Sequence, residues 1–200
     1  GNRLSILKSA NKMMALMDNA PYDFIINHKK RDLSIFEGFV HRTFNATDLT
    51  FFVRSLQNIY KNHQGLENVF NSNKSSLQYT IHDFKSIFFE IDHPQRTLKH
   101  VSDPLKGSAA KRLNMFMRWM VRSNTKGVDF GIWKHHSPAQ LSIPLDVHTG
   151  NIARKLNLIQ RKQNDFKTLK ELDKKLRKFD PVDPVKYDYA LFGLGVFEKF

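Results

Sequence analysis

Apolar positions recur with the spacing of one helix face almost from end to end of this chain. Leu4, Leu7, Met14 and Met17 mark a first helix over about 2–18, and Pro21 opens a short second one to about His28. Residues 29–46 lose the period while carrying Phe36, Phe39, Val40 and Phe44, which predicts a loop with short turns. From Thr47-Asp48, read as a cap, to about Asn62 the period returns, with Leu49, Phe52, Val53, Leu56 and Tyr60 on one side. A brief Leu66–Phe70 element and the polar run 71–76 precede a helix from about Ser76 to Ile91, which His93-Pro94 stops. Residues 92–107 read as irregular. Ser108 is placed as the cap of a strongly patterned helix from Ala109 to Arg122, residues 123–136 form a loop, and Ser137-Pro138 opens a short helix before Pro144. Three more helices are predicted: Asp146 to about Ile159, Asn164 or Asp165 to about Lys178, and Asp183-Pro184 through Leu194. No sustained alternation and no Asn-Gly hairpin appear. The pattern predicts an all-α fold, an orthogonal helical bundle.

Composition narrows the function. The 200 residues suit one helical domain of two lobes, expected at 1–100 and 101–200. The opening Gly1-Asn2-Arg3, without a methionine, reads as an N-terminal truncation. Cysteine is absent, which excludes a disulfide framework, a thiol nucleophile and a Cys-ligated zinc or iron–sulfur cluster. A formal net charge of +13 favours a polyanionic partner, and duplex DNA is the expected one. A basic interaction protein with no nucleic acid is the reading from a different class. No apolar run approaches the ~20 residues of a membrane span, and no signal peptide is visible, so a cytoplasmic location is expected. His135-His136 and His148 lack a ligand set with metal spacing, so neither a metal nor another cofactor is expected.

Two residues carry the candidate chemistry. Asp146 stands in Ile143-Pro144-Leu145-Asp146-Val147-His148-Thr149-Gly150, between an apolar run and a basic amphipathic helix. An acid there can be a plain N-cap or a carboxylate aimed at a ligand. Lys111 stands in Gly107-Ser108-Ala109-Ala110-Lys111-Arg112-Leu113, at the start of a helix that is apolar on one face. It can be a solvated lysine, as most are, or an amine pointing into a cleft. Small residues before it would let a phosphate approach backbone N–H groups, so Lys106, Gly107, Ser108, Arg112, Arg118 and Arg154 are the expected nucleic-acid contacts. Trp119, Trp133 and His148 are the candidates for a base pocket, with ordinary core packing as the competing role for each tryptophan.

The Asp146 segment resembles the Val-Asp-Val-His stretch of the helix-hairpin-helix DNA glycosylase superfamily. Asp103-Pro104-Leu105-Lys106-Gly107 occupies the place of that superfamily's hairpin. The resemblance covers mainly residues 103–195 and implies a two-lobed glycosylase fold with Asp146 and Lys111 as the catalytic pair. It departs from the pattern in keeping one hairpin glycine, Gly107, and in separating Lys111 from Asp146 by 35 positions. Over the whole chain, Gly-Ser-Ala-x-Lys-Arg-Leu-Asn-Met-Phe and Ile-Pro-Leu-Asp-Val-His resemble an uncharacterised bacterial family, DUF2400. What these resemblances imply is base excision from damaged DNA, with or without lyase activity. The alternative is a non-catalytic nucleic-acid-binding module on the same scaffold.

Overall fold

The structure, a computed structural model, describes residues 2–71 and 76–198. Residues 72–75 of the predicted polar run lie outside them. The fold is all-α. Its helices are α1 (Arg3–Ala15), α2 (Pro21–Asn27), α3 (Ala46–Asn62), α4 (Leu66–Phe70), α5 (Leu77–Phe88), α6 (Lys111–Val121), α7 (Val147–Lys155), α8 (Phe166–Phe179) and α9 (Asp188–Val196), joined in places by short 3-10 stretches. A minimal hairpin pairs β1 (Val40–His41) with β2 (Phe44–Asn45). The chain divides into two compact units, Gly1–Val69 with Phe84–Val101, and Phe70–Asp83 with Ser102–Phe200. Phe70–Asp83 belongs to the second unit and Phe84–Val101 to the first, so α5 contributes to both.

In the first unit the region read as a loop supplies core. A 3-10 stretch over Lys30–Phe36 and the hairpin turn Phe36 and Phe39 inward, against Met17, Ile25, Leu33, Leu49 and Val53. Helix α3 starts two residues earlier than the Thr47-Asp48 reading. Asn45 is the cap, and Asp48 closes a reciprocal box with it: Asp48 N–H donates to Asn45 Oδ1 at 3.3 Å and Asn45 N–H to Asp48 Oδ2 at 3.0 Å. The Asp48 carboxylate is fully buried, and it holds Thr97 Oγ1 (3.1 Å), Arg96 Nη2 (3.2 Å) and His100 Nε2 (3.2 Å). Burial alone would raise its pKa, but the Asn45 N–H, the Thr97 hydroxyl, His100 and Arg96 together lower it.

In the second unit α7 and α9 pack closely. A Cβ added to Gly195 would lie 3.1 Å from Ile152 Cγ1 and 3.3 Å from His148 Cβ, so glycine is what permits this crossing. Helix α8 begins at its expected cap: Asp165 accepts from Thr168 N–H at 2.9 Å. That bond, with the Arg161 guanidinium, lowers the Asp165 pKa to about 2. Asp173 on α8 faces inward, and its Oδ1 accepts the Ile143 N–H at 3.1 Å. Arg177 donates to the Leu141 carbonyl at 2.6 Å. These two side chains fix the path of the segment that leads to Asp146.

Candidate active site

Helix α6 begins two residues later than the Ser108 reading, because the chain turns once more first. Gly107 takes the left-handed conformation (φ 93°) that closes the Pro104–Lys106 turn, and Ala110 takes it again (φ 45°) as the cap residue before Lys111. An alanine pays roughly 1–2 kcal/mol for that backbone state, so something must hold it. Asn114, fully buried, donates from Nδ2 to the Ala109 carbonyl at 2.9 Å, and Gln78 Nε2 donates to Asn114 Oδ1 at 3.0 Å. The turn is therefore braced from inside, and Lys111 sits at the first helical position with its side chain outward.

Asp146 is the cap of α7. Its Oδ1 accepts the Thr149 N–H at 2.9 Å, which leaves Oδ2 to Lys111 Nζ, also at 2.9 Å. The Lys111 side chain is 47% exposed and that of Asp146 14%, so the amine is reachable from solvent while the carboxylate is largely enclosed. Burial would raise the Asp146 pKa, but the Thr149 N–H and Lys111 more than offset it, and the group lies below its ordinary 3.8. An ion pair this exposed contributes about 0–1 kcal/mol to stability. Capping accounts for the aspartate, but stability does not account for its partner.

Asn164 holds the Asp146 backbone in place. Its Nδ2 donates to the Asp146 carbonyl at 2.9 Å and its Oδ1 accepts from Arg154 Nη2 at 2.6 Å. Gly150 makes room for it, since a Cβ there would stand 2.5 Å from Asn164 Oδ1. The Gly150→Ala protein is expected to stay folded but to lose the Asn164 bond to the Asp146 carbonyl, giving a lowered yield of any Lys111-dependent reaction with an unchanged circular dichroism spectrum. A fully active variant would show that Asn164 does not position the aspartate.

Beneath the pair lies a buried ionic network that the sequence reading missed. Arg118, 1% exposed, donates from Nη1 to Asp188 Oδ2 at 2.5 Å, approaches Asp129 Oδ1 at 3.4 Å and lies 4.2 Å from the centre of the Tyr189 ring. Arg122 reaches Asp129 (2.6 Å) and grips Asp183 through Nε and Nη2 (3.1 and 2.8 Å). Three carboxylates thus face two guanidinium groups. Burial pushes Asp188 above the ordinary carboxylate value; Arg118 pulls it down, the Asp146 charge pushes it further up and Lys111 opposes that. Asp188 opens α9, α9 packs on α7, and Arg118 belongs to α6, so this bond ties the lysine helix to the aspartate helix.

Other expected site residues fall as follows. Lys106 and Arg112 are exposed. Arg118 is not a phosphate contact, being enclosed in the network above. Nor is Arg154 an open cation: its donors go to the Arg161 and Lys162 carbonyls (2.6 and 2.7 Å) and to Asn164. The Gly107 and Ser108 N–H groups are committed to the Pro104 and Asp103 carbonyls at 2.9 and 3.2 Å, so they are not donors for a phosphate. Trp133 is core, 8% exposed and packed on Phe70 and Phe116. Trp119 is exposed on α6, eight residues beyond Lys111, away from the pair. His148 lies against Phe192, ring centres 5.8 Å apart.

Across 1–197 the chain matches a family model described as Protein of unknown function (DUF2400). The chain belongs to the DUF2400 family. No curated protein and no solved structure matches it. Among the described residues of this DUF2400 protein, no helix is long and apolar enough to cross a membrane. No group of three or more His, Asp or Glu side chains among them is arranged to hold a metal ion.

Proposed function

We propose that this DUF2400 protein excises a damaged base from DNA in the cytoplasm, with Lys111 as nucleophile and Asp146 as the charge opposite the sugar. The observation that carries this is the 2.9 Å approach of Lys111 Nζ to Asp146 Oδ2, between residues 35 positions apart in sequence. The resemblance to helix-hairpin-helix glycosylases and the net charge of +13 support it.

Each group has a task that its environment suits. Asp146 keeps its negative charge at neutral pH and faces the position where the sugar becomes cationic. The Lys111 amine, once deprotonated, donates its lone pair to C1′; the C1′–N bond breaks, and the base leaves with that electron pair and takes up a proton. Loss of the remaining amine proton with opening of the sugar ring gives a Schiff base. Borohydride reduces that species to a stable secondary amine, which provides the test.

Incubation with lesion-bearing duplexes and borohydride should give a covalent complex with the wild-type protein and none with Lys111→Gln. DNA affinity should fall less than about tenfold in that variant, since one phosphate-range charge among several is lost. Trapping that survives in Lys111→Gln would remove the lysine from the mechanism. Salt-dependent binding with no trapping on any lesion would leave a nucleic-acid-binding module without chemistry.

A further inference from the structure

Trp119, Phe130 and Ile132 are 39%, 57% and 60% exposed, and a backbone bond brings Phe130 to Trp119 near the end of α6. The loop after α6 folds back onto the end of the helix. Phe130 N–H and Gly131 N–H both donate to the Trp119 carbonyl, at 2.7 and 3.2 Å, and Trp133 N–H donates to that of Met120 at 2.9 Å. Asp129 points inward to Arg118 and Arg122, Trp133 points inward to the core, and Phe130 and Ile132 are left outside. Gly131 cannot be replaced without conflict, since it has φ 59° and a Cβ there would stand 2.9 Å from the Arg122 carbonyl. These rings are therefore held from behind by buried anchors. Presenting apolar rings rigidly to water costs solubility, but it lowers the ordering cost of whatever binds them.

We infer that Trp119 and Phe130 form an external stacking platform for unpaired bases of a nucleic-acid strand that runs along the open side of α6 past Lys111. The inference takes its partner class from the proposed function and adds a second contact surface to it. Arg112 and Trp119 lie seven residues apart, on one side of the helix, and both are exposed. Lys111 to Trp119 is about 12 Å along the axis, the span of three to four stacked bases at about 3.4 Å each. Arg112 shares that side of the helix, and the whole chain carries +13, which suits a partner with π faces and phosphates together. A duplex hides its base faces, whereas an unpaired strand offers them.

Tryptophan emission reads this directly, because Trp133 is buried and Trp119 is exposed. Titration of the full chain with single-stranded oligothymidylate of about ten nucleotides should quench the emission. A blunt duplex of equal length should quench it far less. Trp119→Ala and Phe130→Ala should each weaken single-strand affinity about tenfold or more and leave blunt-duplex affinity within about twofold, while Trp119→Phe keeps most of the binding. Equal loss for both nucleic acids, or no loss, overturns the platform. So does concentration-dependent self-association in sedimentation that Phe130→Ala abolishes without changing single-strand affinity, since the occupant would then be a second copy of the chain. Quenching without lysine trapping would sink the catalytic reading alone, and trapping without quenching would sink the platform alone.

Discussion

Replacing Asp146 with asparagine is expected to lower base excision by orders of magnitude while changing stability by about 1 kcal/mol. Asparagine is as good an N-cap as aspartate, so the Thr149 N–H keeps its acceptor. The bond to Lys111 loses its charge, which matters little for stability in a pair whose amine is 47% exposed. For chemistry the loss is severe, because an amide cannot oppose the cation that forms at the sugar. The wild-type protein should show the matching pH behaviour. The folded-state pKa of Asp146 lies below 3.8, so its contribution to stability is full above that value and fades as pH falls through the folded value. The carboxylate that excision needs should stay ionised down to the same range, so any loss of excision at milder acidity would report on the amine. Melting curves and single-turnover excision on the two proteins decide the matter, and an active Asp146→Asn protein would end the proposed mechanism.

The second large effect is expected at Arg118. Arg118→Met keeps most of the volume but strands Asp188, and the loss should be about 3–5 kcal/mol near neutral pH. The sign of its pH dependence is fixed by burial. Asp188 already titrates above its ordinary 3.8, and without Arg118 it should move higher. Ionised and buried, it opposes folding at high pH; as pH falls through the raised folded value, protonation removes that cost. The deficit of the variant should therefore shrink on mild acidification. Asp188→Asn in the Arg118→Met background should recover part of the stability at pH 7. A single variant as stable as wild type at pH 7 would show that the network does not tie α6 to α9.

The Lys111–Asp146 pair was legible because both residues sit at helix starts, where sequence punctuation is strongest, and because they stand in the order that the resemblance implies. The left-handed Ala110 was not, since nothing in a run of small residues says which of them turns the chain; it is the buried Asn114 amide that requires it. Nor could spacing tell how each arginine spends its donors. Arg118 and Arg154 look like surface cations, yet their partners include Asp188, 70 residues away, and carbonyls seven and eight residues on. The two tryptophans separate only once the path of the 129–133 segment is known, which buries Trp133 and brings the Phe130 backbone to the Trp119 carbonyl.

Helix α5 has a consequence for how this chain can be divided. Its first turns belong to one compact unit and its last to the other, so the second unit is discontinuous along the chain. A piece beginning at Ser102 would hold Lys111 and Asp146 but lack Gln78, whose amide satisfies the buried Asn114, and Ile81, which is fully buried. The chemistry-bearing half is thus not a cassette that recombination could lift out by a cut at the seam. It would have to carry a stretch of its neighbour with it, which favours inheritance of the two units together.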